Sequence, residues 1–225
     1  MSPPAWKERS PKVGVRLSGT GGQGLVLAGK LLAEAAAIQC GLNVVYTKSY
    51  GPEARGGASR SDVIMSMGEV DDLVNSPVDV LMCLGQKACD KYFADLVYQG
   101  FLLVDSTNVT VVPTSRFVEL PLTELAAKKC GGTMVTNVLA LSALCALTNL
   151  VTRRALREAI KSSVRKNFLE QNLKAMELGY RLARDLRKEM GDREKENLPN
   201  FGYLREKTKG SRKGSSPPTA RSGQG

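Results

Sequence analysis

The sequence predicts an α/β protein, a three-layer α/β/α domain around a mostly parallel sheet, on three observations. Short apolar runs alternate with longer stretches of helical period. The runs are apolar throughout rather than alternating, as strands covered on both faces are. The first run passes through a glycine-rich turn directly into a helix, the local order of a parallel-sheet unit.

Taken in chain order, VGVRLSG (13–19) reads as a buried strand ending in glycine. GTGGQG (19–24) follows, and LVLAGKLLAEAAAIQCG then places Leu25, Ala28, Leu32, Ala35 and Ala36 on one helical face, with Gly41 as a stop. NVVYTKSYG (43–51), RSDVIMSMG (60–68) and VDVLMCLG (78–85) read as the next strands. A helix is expected from about Gln86 to Tyr98, then the strand FLLVDST (101–107) and the shorter strand RFVELPL (116–122). MVTNVLALSALCALTNL (134–150) is too long and too apolar for a strand and predicts a buried helix, with Thr136 or Asn137 serving near its start. Two amphipathic helices with basic outer faces follow, over 152–164 and 168–189. The expected organisation is a polar leader (1–11), one α/β domain (12–189) and a disordered basic tail (190–225), whose Gly, Ser, Pro, Lys and Arg cannot bury enough to order themselves.

Composition narrows the chemistry. The 225 residues contain no histidine, which removes the commonest general base, the Ser-His-Asp and Cys-His nucleophiles and every His-containing metal site. Five cysteines, at 40, 83, 89, 130 and 145, form no CxxC, so reduced thiols are expected, with neither a metal site nor a catalytic set on this chain. No window reaches the roughly 18 consecutive apolar residues of a membrane span. The N-terminus lacks the apolar region of a secretory signal, so a cytoplasmic protein without membrane contact is expected. The net charge of +10 is uneven: residues 1–151 hold 13 Lys and Arg against 13 Asp and Glu, whereas 152–225 hold 19 against 9. A charge run without interleaved aromatics or a recognition motif argues against nucleic acid as the partner.

Two constellations carry the functional reading. Gly19, Gly21 and Gly24 satisfy G-x-G-x-x-G between a strand and a helix, so Gly19, Gly21, Gly22, Gln23 and Gly24 are candidate contacts for an anion or a partner through backbone N–H groups. A dinucleotide site also needs an acid at the end of the second strand, about 20 residues on. That strand ends Thr47-Lys48-Ser49-Tyr50, without a carboxylate, and Lys48 leaves open a 2′-phosphate and hence an NADP-linked dehydrogenase. Glycines that serve packing alone are the third reading of the turn. The second constellation, Tyr50-Gly51-Pro52-Glu53-Ala54-Arg55-Gly56-Gly57, lies at the carboxyl edge of a predicted strand, where open α/β sheets bind ligands and partners. The guanidinium fork of Arg55 suits a phosphate or carboxylate, and its glycine neighbours let another surface come close.

With GTGGQG at 19–24, SYGPEARGG at 49–57 and TNVLAL at 136–141, the sequence resembles the gamma subunit of 2-oxoacid:ferredoxin oxidoreductases over about residues 12–187. PEARGGASR (52–60) is closer to the 2-oxoglutarate branch than to the pyruvate branch. The resemblance implies a Rossmann-like domain without a self-sufficient active site, packed against alpha and beta subunits. It implies oxidative decarboxylation of a 2-oxoacid with coenzyme A as co-substrate, giving acyl-CoA, carbon dioxide and reduced ferredoxin, with ferredoxin as electron acceptor. Thiamine diphosphate is then held by the alpha and beta subunits, and iron–sulfur clusters by beta or a small ferredoxin-like delta subunit. Tyr50, Glu53, Arg55, Gly56 and Gly57 become candidate contacts to a partner or to coenzyme A. The leader and the basic tail have no counterpart in this pattern.

Overall fold

The computed structural model describes residues 12–50, 57–70 and 77–205. Six strands, β1 Lys12–Thr20, β2 Asn43–Tyr50, β3 Ala58–Ser66, β4 Val78–Cys83, β5 Leu96–Asp105 and β6 Val118–Leu120, form one sheet in the order β2-β3-β1-β4-β5-β6. Pairings β1/β4, β4/β5 and β5/β6 are parallel, while β3 runs antiparallel to both β1 and β2, so the sheet is mostly parallel. Thr20 at the end of β1 faces Ala58 at the start of β3, and Tyr50 at the end of β2 faces Ser59. The end of β2 and the start of β3 therefore lie at the same sheet edge as the glycine turn after β1.

The helices are α1 Leu25–Glu34, α2 Gln86–Tyr92, α3 Leu122–Cys130, α4 Thr136–Thr148, α5 Arg153–Ser163, α6 Lys166–Glu189 and the short α7 Asp192–Glu196. A π turn over Ala35–Gln39 prolongs α1 to the glycine stop at Gly41, whose φ is 71°. The layers are unequal. Val13, Val15 and Leu17 of β1 join a large core with α1, α3, α4, α5 and α6. The smaller cluster on the other face gathers α2, the second face of β4 and β5, and Val109. α4 is buried on nearly all sides, as its continuous apolar run predicts. Its Ser142 and Thr148 hydroxyls donate back to Val138 O and Leu144 O, at 2.6 and 2.7 Å, and so carry no unmet hydrogen bond into the core. α6 lies so close against it that a β-carbon on Gly179 would stand 2.5 Å from Leu139 O and 2.9 Å from Ala143 N.

One charge stands inside this apolar frame. Arg16, in the middle of β1, is 1% exposed. Its Nε and Nη2 donate to the two carboxylate oxygens of Asp62 at 2.7 and 3.0 Å, and its Nη1 donates to Asp95. The guanidinium also lies 5.4 Å from the centre of the Tyr92 ring. Burial alone would lower the affinity of this group for its proton. The hydrogen bond and attraction from Asp62, then the attraction of Asp95, more than offset it, so the group titrates above its ordinary value.

Three expectations are corrected. The helix expected to reach Tyr98 ends at Tyr92 with a 3₁₀ turn over Phe93–Asp95, because Asp95 is drawn to Arg16 and the chain turns there into β5. The strand expected over 116–122 stops at Leu120. α3 begins at Leu122, where Asp105 at the end of β5 accepts from the N–H and the hydroxyl of Thr123 at 3.2 and 2.5 Å. The boundary expected at residue 190 also moves, since Leu198, Phe201 and Leu204 are buried in the main core and order the chain through Arg205. The leader 1–11 and residues 206–225 lie outside the described residues.

Packing at this end generates a stability prediction. Phe201→Ala is expected to lower the free energy of unfolding in urea by about 3–5 kcal/mol, as for a fully buried aromatic. Gly179→Ala should lower it by about 1–3 kcal/mol, because its new methyl group meets main-chain atoms of α4 that cannot swing aside. A Phe201→Ala protein as stable as the parent would show that residues 198–205 contribute no packing.

Candidate functional site

The glycine turn is built by carboxamides of the chain itself. Gln23 folds back into the turn: its Oε1 accepts from Thr20 N at 2.7 Å and its Nε2 donates to Leu84 O at 2.9 Å, tying the ends of β1 and β4 together. Gly19 is needed for this, because a β-carbon there would collide with the Gln23 carboxamide. At Gly24 the backbone turns left-handed, with φ 74°, as α1 begins. Its carbonyl accepts from Asn137 Nδ2 at 2.9 Å, and a side chain at this position would run into that same carboxamide. Gly21 and Gly22 form the exposed tip of the turn, with open space where a β-carbon would stand.

The two sequence constellations meet here. Gly21 N donates to Gly57 O at 3.3 Å, so the far end of the YGPEARGG segment is hydrogen-bonded to the tip of the GTGGQG turn. Ser59 Oγ reaches Gly19 O at 3.5 Å one step further along. Tyr50 ends β2 beside them, and Lys48 and Ser49 are exposed on the same strand. Residues 51–56, which include Glu53, Arg55 and Gly56, lie outside the described residues, and so does the side chain of Tyr50. Gly19, Gly21, Gly22, Gln23, Gly24 and Gly57 are thus brought together, with Gln23 and Gly24 turned toward the protein and Gly21 and Gly22 toward its surface.

Asn137 is the residue that sequence reasoning placed wrongly. It does not cap α4, whose first turn carries no side-chain cap; Thr136 Oγ1 donates instead to Thr133 O at 2.8 Å, and Asn137 clamps Gly24 from 113 positions away. Its Oδ1 is buried and meets no hydrogen-bond partner among the described residues. A buried amide at the head of an otherwise apolar helix was the available signal, since such a group is retained where it has a partner to hold.

The same edge ends at the β4–α2 corner, which carries two cysteines. No three His, Cys, Asp or Glu side chains gather there or elsewhere in the described chain as metal ligands. The Cys83 and Cys89 thiols at the β4–α2 corner are buried and hydrogen-bond to each other, which pushes Cys83 up and Cys89 down. No helix of the described chain is long and apolar enough to cross a membrane.

The family model for pyruvate ferredoxin/flavodoxin oxidoreductase matches residues 14–182, a span that contains the turn, the hairpin and the head of α4. The chain belongs to this family. Within the family it is similar to the 2-oxoglutarate synthase subunit KorC of Methanocaldococcus jannaschii, at 42% identity over 176 residues, covering 76% of this chain and 94% of that protein. The KorC subunit of Methanothermobacter marburgensis is likewise 42% identical over 177 residues, covering 75% of this chain and 95% of its own length. Among solved structures, the gamma subunit of a keto/oxoacid ferredoxin oxidoreductase from Geobacter sulfurreducens matches with a TM-score of 0.72 at 43% identity, over 78% of this chain and 98% of that one. The relatives are subunits of oxidoreductases, and the family resemblance read from the two motifs stands.

Gln23→Ala is expected to destabilise the family domain by about 1–3 kcal/mol in urea unfolding, because Thr20 N–H and Leu84 C=O lose their partner together. Gly21→Ala, where the new methyl group meets nothing, should stay within about 0.5 kcal/mol of the parent. Equal losses at the two positions would mean that the carboxamide does not organise the turn.

Proposed function

We propose that this chain is the gamma-type subunit of a 2-oxoglutarate:ferredoxin oxidoreductase. It would work beside alpha and beta subunits in the oxidative decarboxylation of a 2-oxoacid with coenzyme A to acyl-CoA and carbon dioxide, ferredoxin taking the electrons. The observation that carries the reading is the 42% identity to KorC across 94% of that subunit's length. The five cysteines do not meet as a ligand set among the described residues. By the family resemblance, thiamine diphosphate would be held by the alpha and beta subunits and the iron–sulfur clusters by beta or a ferredoxin-like delta subunit.

The chain's own contribution is a shaped edge. The exposed Gly21–Gly22 tip and the β2–β3 hairpin form one surface, stapled by the Gly21–Gly57 hydrogen bond. A tip without β-carbons lets another backbone or a ligand come within hydrogen-bond distance. Arg55 and Glu53, between the fixed ends Tyr50 and Gly57, would supply the charged contacts to a thiamine-binding subunit or to coenzyme A. The alternative of a free-standing NADP-linked dehydrogenase is weakened by the turn itself, whose inner side is taken by the Gln23 carboxamide, and by a β2 that ends without an acid.

Purification of the tagged chain with its native partners, followed by 2-oxoglutarate-dependent reduction of a viologen dye, tests the assignment. Turnover is expected from the assembly, dependent on coenzyme A, and none from the chain expressed alone. Robust turnover by the single chain would overturn the subunit reading. Arg55→Lys keeps the charge but loses the planar fork, so it should weaken assembly or raise the coenzyme A requirement by roughly 10-fold or more, while the isolated chain unfolds as before. Parent-like assembly and coenzyme A dependence in both Arg55→Lys and Arg55→Ala would remove Arg55 from the contact.

A further inference from the structure

Two large apolar side chains stand exposed beside one loop. Met134 is 76% exposed and Phe168 is 44% exposed. They come from different elements, the 3₁₀ turn Thr133–Val135 between α3 and α4 and the first turn of α6, yet both border the Gly131–Gly132 loop that follows α3. Gln171, one turn after Phe168 on the same side of α6, donates from Nε2 to Cys130 O at 2.8 Å, and the 3₁₀ turn packs against α3, α4 and α6.

This corner lies at the glycine edge of the sheet. Gln171 bonds to Cys130, Gly179 rests on Leu139 and Ala143, and Arg187 donates to Leu147 O, so α6 runs parallel to α4. Phe168 precedes Gly179 by about three turns, whereas α4 begins at Thr136, close before Leu139, so Phe168 stands beyond the head of α4. That head is bonded to the glycine turn through Asn137 and Gly24, and Met134 comes three residues before Asn137.

The loop is fixed from behind. Val135 is buried, Thr136 Oγ1 donates to Thr133 O at 2.8 Å, and Gly131 and Gly132 turn the chain with φ of 78° and 152°. A methionine held outward on such a turn costs little to order on binding, and its flexible thioether adapts to an apolar counterpart. The surroundings are cationic. Lys129 ends α3, Arg165 and Lys166 open α6, and Lys174 follows two turns on; none of the four is ion-paired among the described residues. With no acid in the first turn of α6, Arg165 and Lys166 stand where the helix dipole is already positive, so helix stability does not account for them.

A longer relative says what covers such a corner. In the ketoisovalerate oxidoreductase subunit VorA of Methanothermobacter thermautotrophicus, 33% identical over 180 residues, the matching stretch is only 37% of the chain. A domain of this kind is there joined to further polypeptide. On the subunit reading given above, the counterpart of that polypeptide is a partner subunit, and contact with it falls to exposed side chains.

We propose that the Met134–Phe168 corner is a docking surface for a thiamine-binding partner subunit, receiving an apolar side chain of that subunit flanked by Asp or Glu. Apolar side chains with Met and aromatics at the centre and charge at the rim are the usual make-up of such a contact. Two apolar residues are too few for a stable interface, which buries about 800 Å² on each side, so the Gly21–Gly22 tip and the ends of β2 and β3 complete it.

The tagged chain purified with its native partner subunits tests this, with association followed by sedimentation of the assembly over a dilution series. Met134→Glu, and more so Met134→Glu with Phe168→Glu, should raise the dissociation constant by about tenfold or more. Arg165→Glu with Lys166→Glu should weaken assembly and flatten its salt dependence. Ile38→Glu, at a 65% exposed apolar position at the other end of α1, should assemble as the parent does. Each variant chain alone should unfold in urea like the parent, because the replaced side chains already face water. Parent-like assembly of the Met134→Glu, Phe168→Glu double variant would overturn the docking surface and leave the subunit reading intact. A parent chain that brings down no partner with 2-oxoacid oxidoreductase activity would overturn both. If the chain dimerises alone, and Met134→Glu abolishes the dimer but not the assembly, the corner belongs to a second copy and the proposal fails.

Discussion

The Gln23 carboxamide holds together the elements that meet at the functional edge of the sheet. It accepts from the end of β1 and donates to the residue after β4, so the two central parallel strands finish level with each other and α1 leaves at a defined angle. Gly19 makes room for it and Gly24 makes room for the matching carboxamide of Asn137, which brings the head of α4 to the same point. A glycine pattern of the kind that elsewhere receives a dinucleotide is here closed from within. What remains open is the tip, Gly21 and Gly22, facing outward beside the hairpin.

The Arg16 network sets the position of that hairpin. β3 is the single strand that runs against its neighbours, and it is held along β1 by nine residue pairs and by the fork from Arg16 to Asp62. Asp95 joins the same guanidinium from beyond α2, so the thin face of the sheet is organised by charge where the thick face is organised by apolar packing. Loss of Asp62 would remove both bonds of the fork and leave the buried guanidinium with Asp95 alone, at a cost of about 3–5 kcal/mol. The start of β3 is therefore delivered to the glycine edge by a strand pairing that cannot slip without breaking the network.

α4 separates two different chemistries. Its head meets the glycine turn, where neutral amides and glycines gather. Its foot meets a corner rich in Arg and Lys. The excess charge of the C-terminal third, which in the sequence resembles only a solvated helix face and tail, is partly gathered into a concave wall by the ordering of residues 198–205.

Much of this was legible in the chain. The alternation of apolar runs and helical periods, the strand-turn-helix order at 13–41 and the continuous apolar run at 134–150 determine an α/β domain with one fully buried helix, because burial on two faces leaves no other pattern. The pairing of GTGGQG with YGPEARGG determines the family. The antiparallel course of β3, the early end of α2, the use of Asn137 as a clamp and the ordering of Phe201 were decided only by the tertiary structure. Each depends on partners far apart in sequence, 79 positions for Arg16 and Asp95 and 113 for Gly24 and Asn137, and no local period records them. Phe201 and Leu204 read as part of a polar tail because two apolar residues amid charges cannot order themselves; the main apolar core provides the surface that they lack. Local sequence sets which elements form, since propensity and periodicity act over a few residues. Where those elements place their charges and their cavities follows from contacts that exist only once the chain has closed on itself.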